Sequence, residues 1–414
     1  MNFIIVVLIL FSQDTVRTFR GVSYLNGKTW IVDYDTFDLN NIYFSPDNGY
    51  TWFPCGVQFS GHYPPLFDIE FINDTLGWTA GGQEPSPGAL IFKSTDGCGT
   101  WTIKLEGVTK WFSKIHFVDE NIGWFGGGNG FYGKTLNGGD SIFTYPIPEL
   151  TFTDIYGVAA FDAEKVWMAT GYVGDTLGGQ GYIIMSKDGG THWTFLDSSE
   201  VYDYFDLFFL NPYRGWVVGG MDDTPYEPIV KITENGGITW TEVVPPNAYT
   251  LRSVHFINEY KGWACGKYGT ILHTTDGGYT WETQYSGTQA TLFALEFYDS
   301  LHGVIVGDSG IVLFTENGGV TWDLRSPVTR IKEARKVTKL NNFVLRTLNK
   351  NALEFYFKGD EPIKLSLYDI SGRKIGELVA GRGKNVINVT SAGVYFVEIG
   401  KEGRRKIHKV VIIK

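Results

Sequence analysis

TTDGGYTW (274–281) and TENGGVTW (315–322) are two copies of a polar turn, Ser/Thr-x-Asp/Asn-x-Gly-x-Thr-Trp, that occurs seven times at intervals of 41 to 51 residues. The other copies are SPDNGYTW (45–52), STDGCGTW (94–101), TLNGGDSI (135–142), SKDGGTHW (186–193) and TENGGITW (233–240), and only TLNGGDSI lacks the tryptophan. A second element keeps step: an apolar strand runs into Gly-Trp and a small-residue strand, as in DLFFLNPYRGWVVGG (206–220) and SVHFINEYKGWACG (253–266), with Trp30 and Val166-Trp167 marking weaker copies. Ile115 and Phe117 alternate with Lys114 and His116, the period-two pattern of a half-buried strand. A unit of this length has room for four strands, cannot bury its faces alone and must stack in a ring. The expectation is an all-β protein, a seven-bladed β-propeller over residues 14–326. It places Trp52, Trp101, Trp193, Trp240, Trp281 and Trp322 at equivalent, largely buried positions.

The turn needs its residue types for local geometry. A short carboxylate or amide accepts backbone N–H groups of its own turn, and glycine supplies the left-handed position that a Cβ penalises. Asp47, Asp96, Asp188 and Asp276 stand where Asn137, Asn235 and Asn317 stand in other copies, so charge is dispensable and these seven positions read as structural.

The turns resemble Asp-box (bacterial neuraminidase, BNR) repeats. Together with the Gly-Trp element they resemble the repeats of photosystem II assembly and stability factors, which are seven-bladed propellers. The resemblance spans about residues 16–326 and implies architecture only, because one fold hosts many functions.

Residues 328–414 carry 19 Lys+Arg and 8 Asp+Glu, net +11, against net −21 for residues 1–327, an asymmetry that marks two domains. The polar stretch 327–339 reads as a linker. In 340–414, LEFYF (353–357), IKLSLYDI (363–370), VINVT (386–390), GVYFVEI (393–399) and HKVVIIK (408–414) predict a small C-terminal β-sandwich. LSLYDISGRKIGEL, SAGVYFVEI and the terminal KVVIIK resemble the type A C-terminal sorting domain of type IX secretion cargo of Bacteroidetes and related phyla, although the Asn-Pro that usually opens such domains is absent. Gly372, Arg373, Gly393, Tyr395 and Lys409 match its motif. The resemblance implies the type IX secretion machinery as a partner and a secreted or outer cell-surface location. Residues 3–11 (FIIVVLILF) are too short to span a bilayer and read as the core of a signal peptide over residues 1–13, leaving no transmembrane span in the mature chain. Cys55, Cys98 and Cys265 leave a Cys55–Cys98 disulfide open, with buried small hydrophobes as the simpler alternative.

Catalytic motifs are absent: there is no HExxH, no phosphate loop after a strand and no arginine triad of the sialidase kind. No metal, cofactor or catalytic residue is assigned. The acidic propeller disfavours a nucleic-acid partner. His116 and His255 share one repeat phase, and Asp222-Asp223, Asp203/Asp206 and Asp197/Glu200 are close acidic pairs. These pairs keep a propeller glycoside hydrolase as the alternative. The favoured reading is a binding or scaffold module for a glycan or protein ligand. Its site is placed on the face opposite the Asp boxes, where the loops vary most between blades: Trp111, Tyr202, Tyr204, Asp222, Asp223, Tyr226 and Arg252.

Overall fold

The period-two segments form seven separate four-stranded antiparallel sheets, over residues 19–54, 66–108, 112–146, 153–199, 203–243, 251–284 and 292–324. These are blades 1 to 7. The computed structural model describes residues 17–34, 41–57, 64–83, 88–108, 110–172 and 180–327, together with the strands of a C-terminal unit between residues 343 and 412. The signal segment 1–13, the linker beyond residue 327 and most of the loop insertions at 82–88 and 171–181 lie outside the described residues.

Each blade runs from an innermost first strand to an outermost fourth. In blade 6 these are Leu251–Phe256, Gly262–Gly266, Ile271–Thr274 and Glu282–Gln284. The first strands of neighbouring blades touch all round a closed ring, blade 7 against blade 1. Every blade holds its own four strands, so side-chain and backbone contacts close the ring. Tyr24 N donates to Glu296 Oε2 (2.8 Å), and Trp52 Nε1 donates to the Arg325 carbonyl (2.7 Å).

The adhesive between blades is a repeated aromatic leaf. The last residue of the first strand is Phe71, Phe117, Phe209, Phe256 or Phe297 in five blades. Its ring lies so close over the glycine of the Gly-Trp step in its own blade that a Cβ there would sit 2.5–2.6 Å from ring atoms. The same rings stack on the Gly-Trp tryptophan of the preceding blade: Trp78–Phe117, Trp216–Phe256 and Trp263–Phe297 all have centroids 3.6 Å apart. Each of those indoles then donates its N–H to the first glycine carbonyl of the next blade's Asp box, as Trp78 does to Gly138 (3.1 Å) and Trp216 to Gly277 (2.8 Å). Blade 4 departs from the pattern: Ala160 replaces the phenylalanine, and Trp124 donates instead to the Asp162 carbonyl (3.2 Å).

The deepest tryptophans are therefore those of the Gly-Trp steps: Trp30, Trp78, Trp124, Trp167, Trp216 and Trp263 are each at most 1% exposed. The box tryptophans do occupy equivalent places, but only Trp281 is fully buried; Trp52, Trp101, Trp193, Trp240 and Trp322 are half-buried. The half-buried ones edge onto the leaf from the rim, where water reaches one side of the indole, as in the edge-on Phe297–Trp322 pair (5.9 Å).

Cys55 and Cys98 form a disulfide that ties blade 1 to blade 2, so the simpler alternative of two buried thiols does not hold. Cys265 is a buried free thiol. Cys98 occupies the second glycine position of its box, with φ +89°, where the other boxes have glycine at φ +79° to +95°. In those boxes a Cβ would press on the preceding blade, for instance 2.2 Å from the Phe314 ring at Gly49 or 2.5 Å from Leu196 at Gly237. The position points at the neighbouring blade, and in blade 2 the side chain that fills it is bonded covalently to that neighbour.

The C-terminal unit contains two antiparallel sheets. One joins Phe343–Leu348, Ala352–Phe357 and Gly383–Asn388; the other joins Lys374–Ala380, Ile363–Asp369, Gly393–Lys401 and Arg404–Ile412. Phe343–Leu348 and Lys374–Ala380 are strands that the sequence pattern missed. Gly393, Tyr395 and Lys409 lie on paired strands, Tyr395 opposite Val410, whereas Gly372 and Arg373 fall outside the described residues.

Two predictions follow from this packing. Gly262→Ala should destabilise the protein nearly as much as Trp216→Ala, whose cost should be about 3–5 kcal/mol, because both break the same leaf; a melting temperature unchanged by Gly262→Ala contradicts the stacking. Loss of the disulfide should cost about 2–4 kcal/mol, and Cys98→Gly should cost less than Cys55→Ala, since glycine relieves the left-handed residue. Equal melting temperatures for the two variants would show that the Cys98 conformation carries no strain.

Candidate functional site

Every first strand carries a β-bulge near its start, after the first residue in five blades, the third in blade 4 and the second in blade 5, which places two successive residues on the channel wall. The bulged residues are Arg20, Phe67, Ser113, Tyr156, Phe205, Arg252 and Phe293, one per blade. All seven line a cavity of about 710 Å³ at the channel mouth, joined by Tyr34 and Trp111. The mouth faces away from the Asp boxes, because strands 1 start where strands 2 end, at the opposite edge from the box turns. Arg20 packs its guanidinium on Phe293 (3.8 Å to the ring centroid) and faces Tyr34 (5.2 Å); Arg252 packs on Phe205 (3.7 Å). Arg252 also pairs with Asp222. Arg20 has no carboxylate within ion-pairing distance among the described residues, and the Nε groups of both arginines are buried without a hydrogen-bond acceptor. Burial and the nearby Arg252 charge lower the Arg20 pKa.

Below the mouth lies a charged layer. Lys114 Nζ stands 3.8 Å from Asp68 Oδ2 and 3.6 Å from Asp206 Oδ1. Burial works to lower the Lys114 pKa, but Asp206, Asp68 and Glu70 outweigh it and hold it above the usual lysine range. Asp68 Oδ2 accepts Ile115 N–H (3.0 Å), and Asp206 Oδ2 accepts Ser253 O–H (2.9 Å) and Val254 N–H (3.1 Å). One layer deeper, Glu70 accepts Phe117 N–H (2.8 Å) and Glu296 accepts Tyr24 N–H. Each of these backbone donors belongs to the next blade. The channel carboxylates thus satisfy the outward edges of the innermost strands, which no fifth strand covers. His116 Nε2–H donates to the Ala160 carbonyl (3.1 Å), and His255 lies against Phe208 (4.9 Å between ring centroids). Among the described residues no cluster of three or more His, Cys, Asp or Glu could hold a metal, and no helix is long and apolar enough to cross a membrane.

Of the residues singled out in the sequence, Trp111 and Arg252 line the mouth. Asp222, Asp223 and Tyr226 lie on the adjoining blade 5 loop, where Asp222 also meets Lys267 (2.8 Å). Tyr202 is half-buried. Tyr204 is fully buried between blades, its hydroxyl donating to Asp197 Oδ2 (2.6 Å), and cannot contact a ligand. Its ring fills the space that the neighbouring Gly181 leaves open. Asp197 is further neutralised by Lys231 (2.8 Å), and Asp203 accepts Tyr172 N–H (2.7 Å), so neither acid is free for chemistry. The box residues bond within their own turns: Asp276 accepts Thr280 N–H (2.9 Å) and O–H (2.7 Å), and Asn235 accepts Thr239 N–H while its amide donates to Thr239 Oγ1 (2.8 Å). The box face is less uniform than its motif implies: the residue after the second glycine is Ile238, Tyr279, Val320 and Tyr50 in blades 5, 6, 7 and 1, all exposed. Arg20, Phe67, Tyr156, Phe205 and Phe293 escaped sequence reasoning. Their signal was a fixed repeat phase with changing side chains, as in Leu66-Phe67-Asp68, Leu251-Arg252-Ser253 and Leu292-Phe293-Ala294.

Residues 196–286 match the family model described as photosynthesis system II assembly factor YCF48, and residues 349–414 match the secretion system C-terminal sorting domain. No curated protein matches the chain. Among solved structures, YCF48 bound to D1 peptide is 16% identical with a TM-score of 0.55, the match covering 76% of this chain and 99% of that one. YCF48 from Cyanidioschyzon merolae is 18% identical with a TM-score of 0.55, over 73% and 97%. PorZ, described as an essential surface component of the type-IX secretion system of Porphyromonas gingivalis, is 13% identical with a TM-score of 0.48, over 95% and 65%. The chain is a seven-bladed propeller with assembly-factor-type repeats and a C-terminal sorting domain, and it is a secreted or outer cell-surface protein.

The channel groups make stability depend on pH. Burial raises Glu70 and Glu296 from 4.5 to about 8, opposed by their backbone donors, and burial lowers His116 and His255 from 6.5 to about 4. The raised carboxyls stabilise the fold fully below their unfolded pKa and lose that contribution as pH rises through the folded value; the lowered histidines contribute above 6.5 and lose it on acidification toward 4. Between pH 6.5 and 8 the carboxyls act alone, so the melting temperature should fall there, and Glu296→Gln, which keeps an acceptor for Tyr24 N–H, should flatten the fall. An unchanged slope in the variant would show that Glu296 does not titrate in this window.

Proposed function

We propose that this is an extracellular binding module, exported by the type IX machinery under direction of its C-terminal domain, whose propeller takes an anionic group of its ligand at the channel mouth between Arg20 and Arg252. The observation that carries this reading is the Arg20 guanidinium, held flat on Phe293 in a cavity of ligand size with no carboxylate in ion-pairing distance among the described residues. A half-buried guanidinium without an ion-pair partner carries a desolvation cost, and a planar carboxylate matches its fork of donors. The rings of Phe67, Trp111, Tyr156 and Phe205 around it supply apolar surface for the body of the ligand. A structure of the same fold is described as bound to a peptide, which makes an acidic peptide one source of the anion; a uronic-acid glycan is the other.

The hydrolase alternative rests on Asp68 and Asp206, whose oxygens lie 3.8 and 3.6 Å from one ammonium group and so stand below the upper carboxylate separation of glycosidases, roughly 9.5 Å. Binding is favoured because the oxygens of both acids are engaged by backbone N–H groups, Ser253 and Lys114.

The test is binding of the mature chain to panels of uronic-acid oligosaccharides and of peptides ending in a free carboxylate. Arg20→Gln should weaken the binding member about tenfold or more, the scale of losing a charge-assisted pair, with the fold intact by circular dichroism. Undiminished affinity in that variant removes the mouth as the site. Release of shortened sugars by the unmodified chain, abolished by Asp206→Asn, would instead establish the hydrolase.

A further inference from the structure

Beside the mouth, blades 5 and 6 hold three tyrosines in an arrangement that neither the core nor the turns require. The loop between the second and third strands is the same three-residue turn in blades 3, 6 and 7: Gly128–Gly130, Lys267–Gly269 and Asp308–Gly310. Its central residue is left-handed in all three, with φ 55° at Asn129, 53° at Tyr268 and 64° at Ser309. Asparagine and serine serve that conformation with small polar side chains; a tyrosine there is a strained choice. Facing it from the blade 5 loop, Tyr226 is also left-handed, at φ 58°. Their ring centroids are 5.5 Å apart, and Tyr249 adds a third ring 4.9 Å from Tyr268. Tyr249 and Tyr268 are 43% and 44% exposed, and none of the three belongs to a buried apolar cluster.

The cluster is fixed in place. Tyr226 N–H donates to the Asp223 carbonyl (2.7 Å), and the Tyr226 carbonyl accepts Thr250 N–H (2.9 Å). The neighbouring Tyr268 phenol raises the Tyr226 pKa. Polar groups frame the rings: Lys267 Nζ lies 4.4 Å from the Tyr226 centroid and 2.8 Å from Asp222 Oδ1, and Asp222 in turn pairs with Arg252 of the mouth. Half-exposed aromatic faces beside a carboxylate, an ammonium and phenolic hydroxyls match a sugar ring, which offers an apolar C–H face and a rim of hydroxyls.

We propose that Tyr226, Tyr249 and Tyr268 form a carbohydrate subsite contiguous with the mouth. A pyranose stacks on the exposed Tyr249–Tyr268 surface, and Asp222 and Lys267 bond its hydroxyls. This rests on the mouth face being the ligand side and commits that ligand to a glycan.

The experiment uses the mature full chain, a panel of neutral and uronic-acid oligosaccharides, and the variants Tyr268→Asn, Tyr249→Ala and Arg20→Gln. Tyr268→Asn installs the residue that blade 3 uses in the same turn, so its melting temperature should hold or rise while glycan affinity falls about tenfold. Tyr249→Ala should lose affinity likewise, at a site with an ordinary backbone. A fall in melting temperature with unchanged affinity in Tyr268→Asn would make the ring a packing element and overturn the subsite. If Arg20→Gln loses binding and both tyrosine variants keep it, the subsite fails and the mouth stands. Binding confined to peptides, or to no oligosaccharide in the panel, also overturns it.

Discussion

The structure depends on a phenyl ring gripped between two blades. Phe256 is typical: one face lies on Gly262 of its own sheet, and the other lies 3.6 Å from the Trp216 ring of the sheet before it. The glycine cannot be replaced because its missing Cβ is the space the ring occupies. The tryptophan is held in plane because its N–H is bonded to the Gly277 carbonyl of the next box. Hydrophobic burial, ring stacking and a hydrogen bond therefore act at one place, and that place recurs round the ring. A single blade has no partner for either face, which is why the repeat makes a closed body or none.

The Asp box belongs to this same device. Its carboxylate or amide shapes a turn whose first glycine turns its carbonyl toward the neighbouring tryptophan, and its second glycine passes close under the neighbour's side chains. Both needs concern backbone, so asparagine serves as well as aspartate. Blade 2 shows the limit of the rule: Cys98 has a Cβ at the close-approach position and turns the contact into a covalent bond. An oxidising location outside the cell suits that bond.

At the axis the constraint reverses. Seven innermost strands present unpaired edges to a narrow channel, and Asp68, Glu70, Asp206, Ser253 and Glu296 answer them, each bonding the next blade's backbone. Charge in the channel is thus largely committed to architecture, whereas charge at the mouth is not. The bulge in each first strand sets the boundary, because it exposes one extra residue per blade, of which Ser113 bonds the next blade's edge by donating to the Ile155 carbonyl (2.6 Å). The other six positions are free to vary, and they hold two arginines and four aromatic rings.

The repeat period, the seven copies, the four-strand content, the separate C-terminal unit and the dispensability of box charge were all legible in the chain, because each follows from local pattern and from side chains that act on their own turn. Trp111, Asp222 and Arg252 were legible as candidates because they sit where blades differ. The rest required the closed ring. Tyr204 and Tyr202 share an aromatic pattern, yet one is sealed between blades and the other reaches the rim, a difference set by the neighbouring sheet. Arg20 and Arg252 are 232 positions apart in the chain and meet one cavity only because blade 7 packs against blade 1. Tyr268 hides in a three-residue turn, and its meaning appears only when its backbone matches Asn129 and Ser309 and its ring meets Tyr226. Sequence determines what each blade can form; which side chains converge is decided by closure, since convergence depends on distances that no single repeat contains.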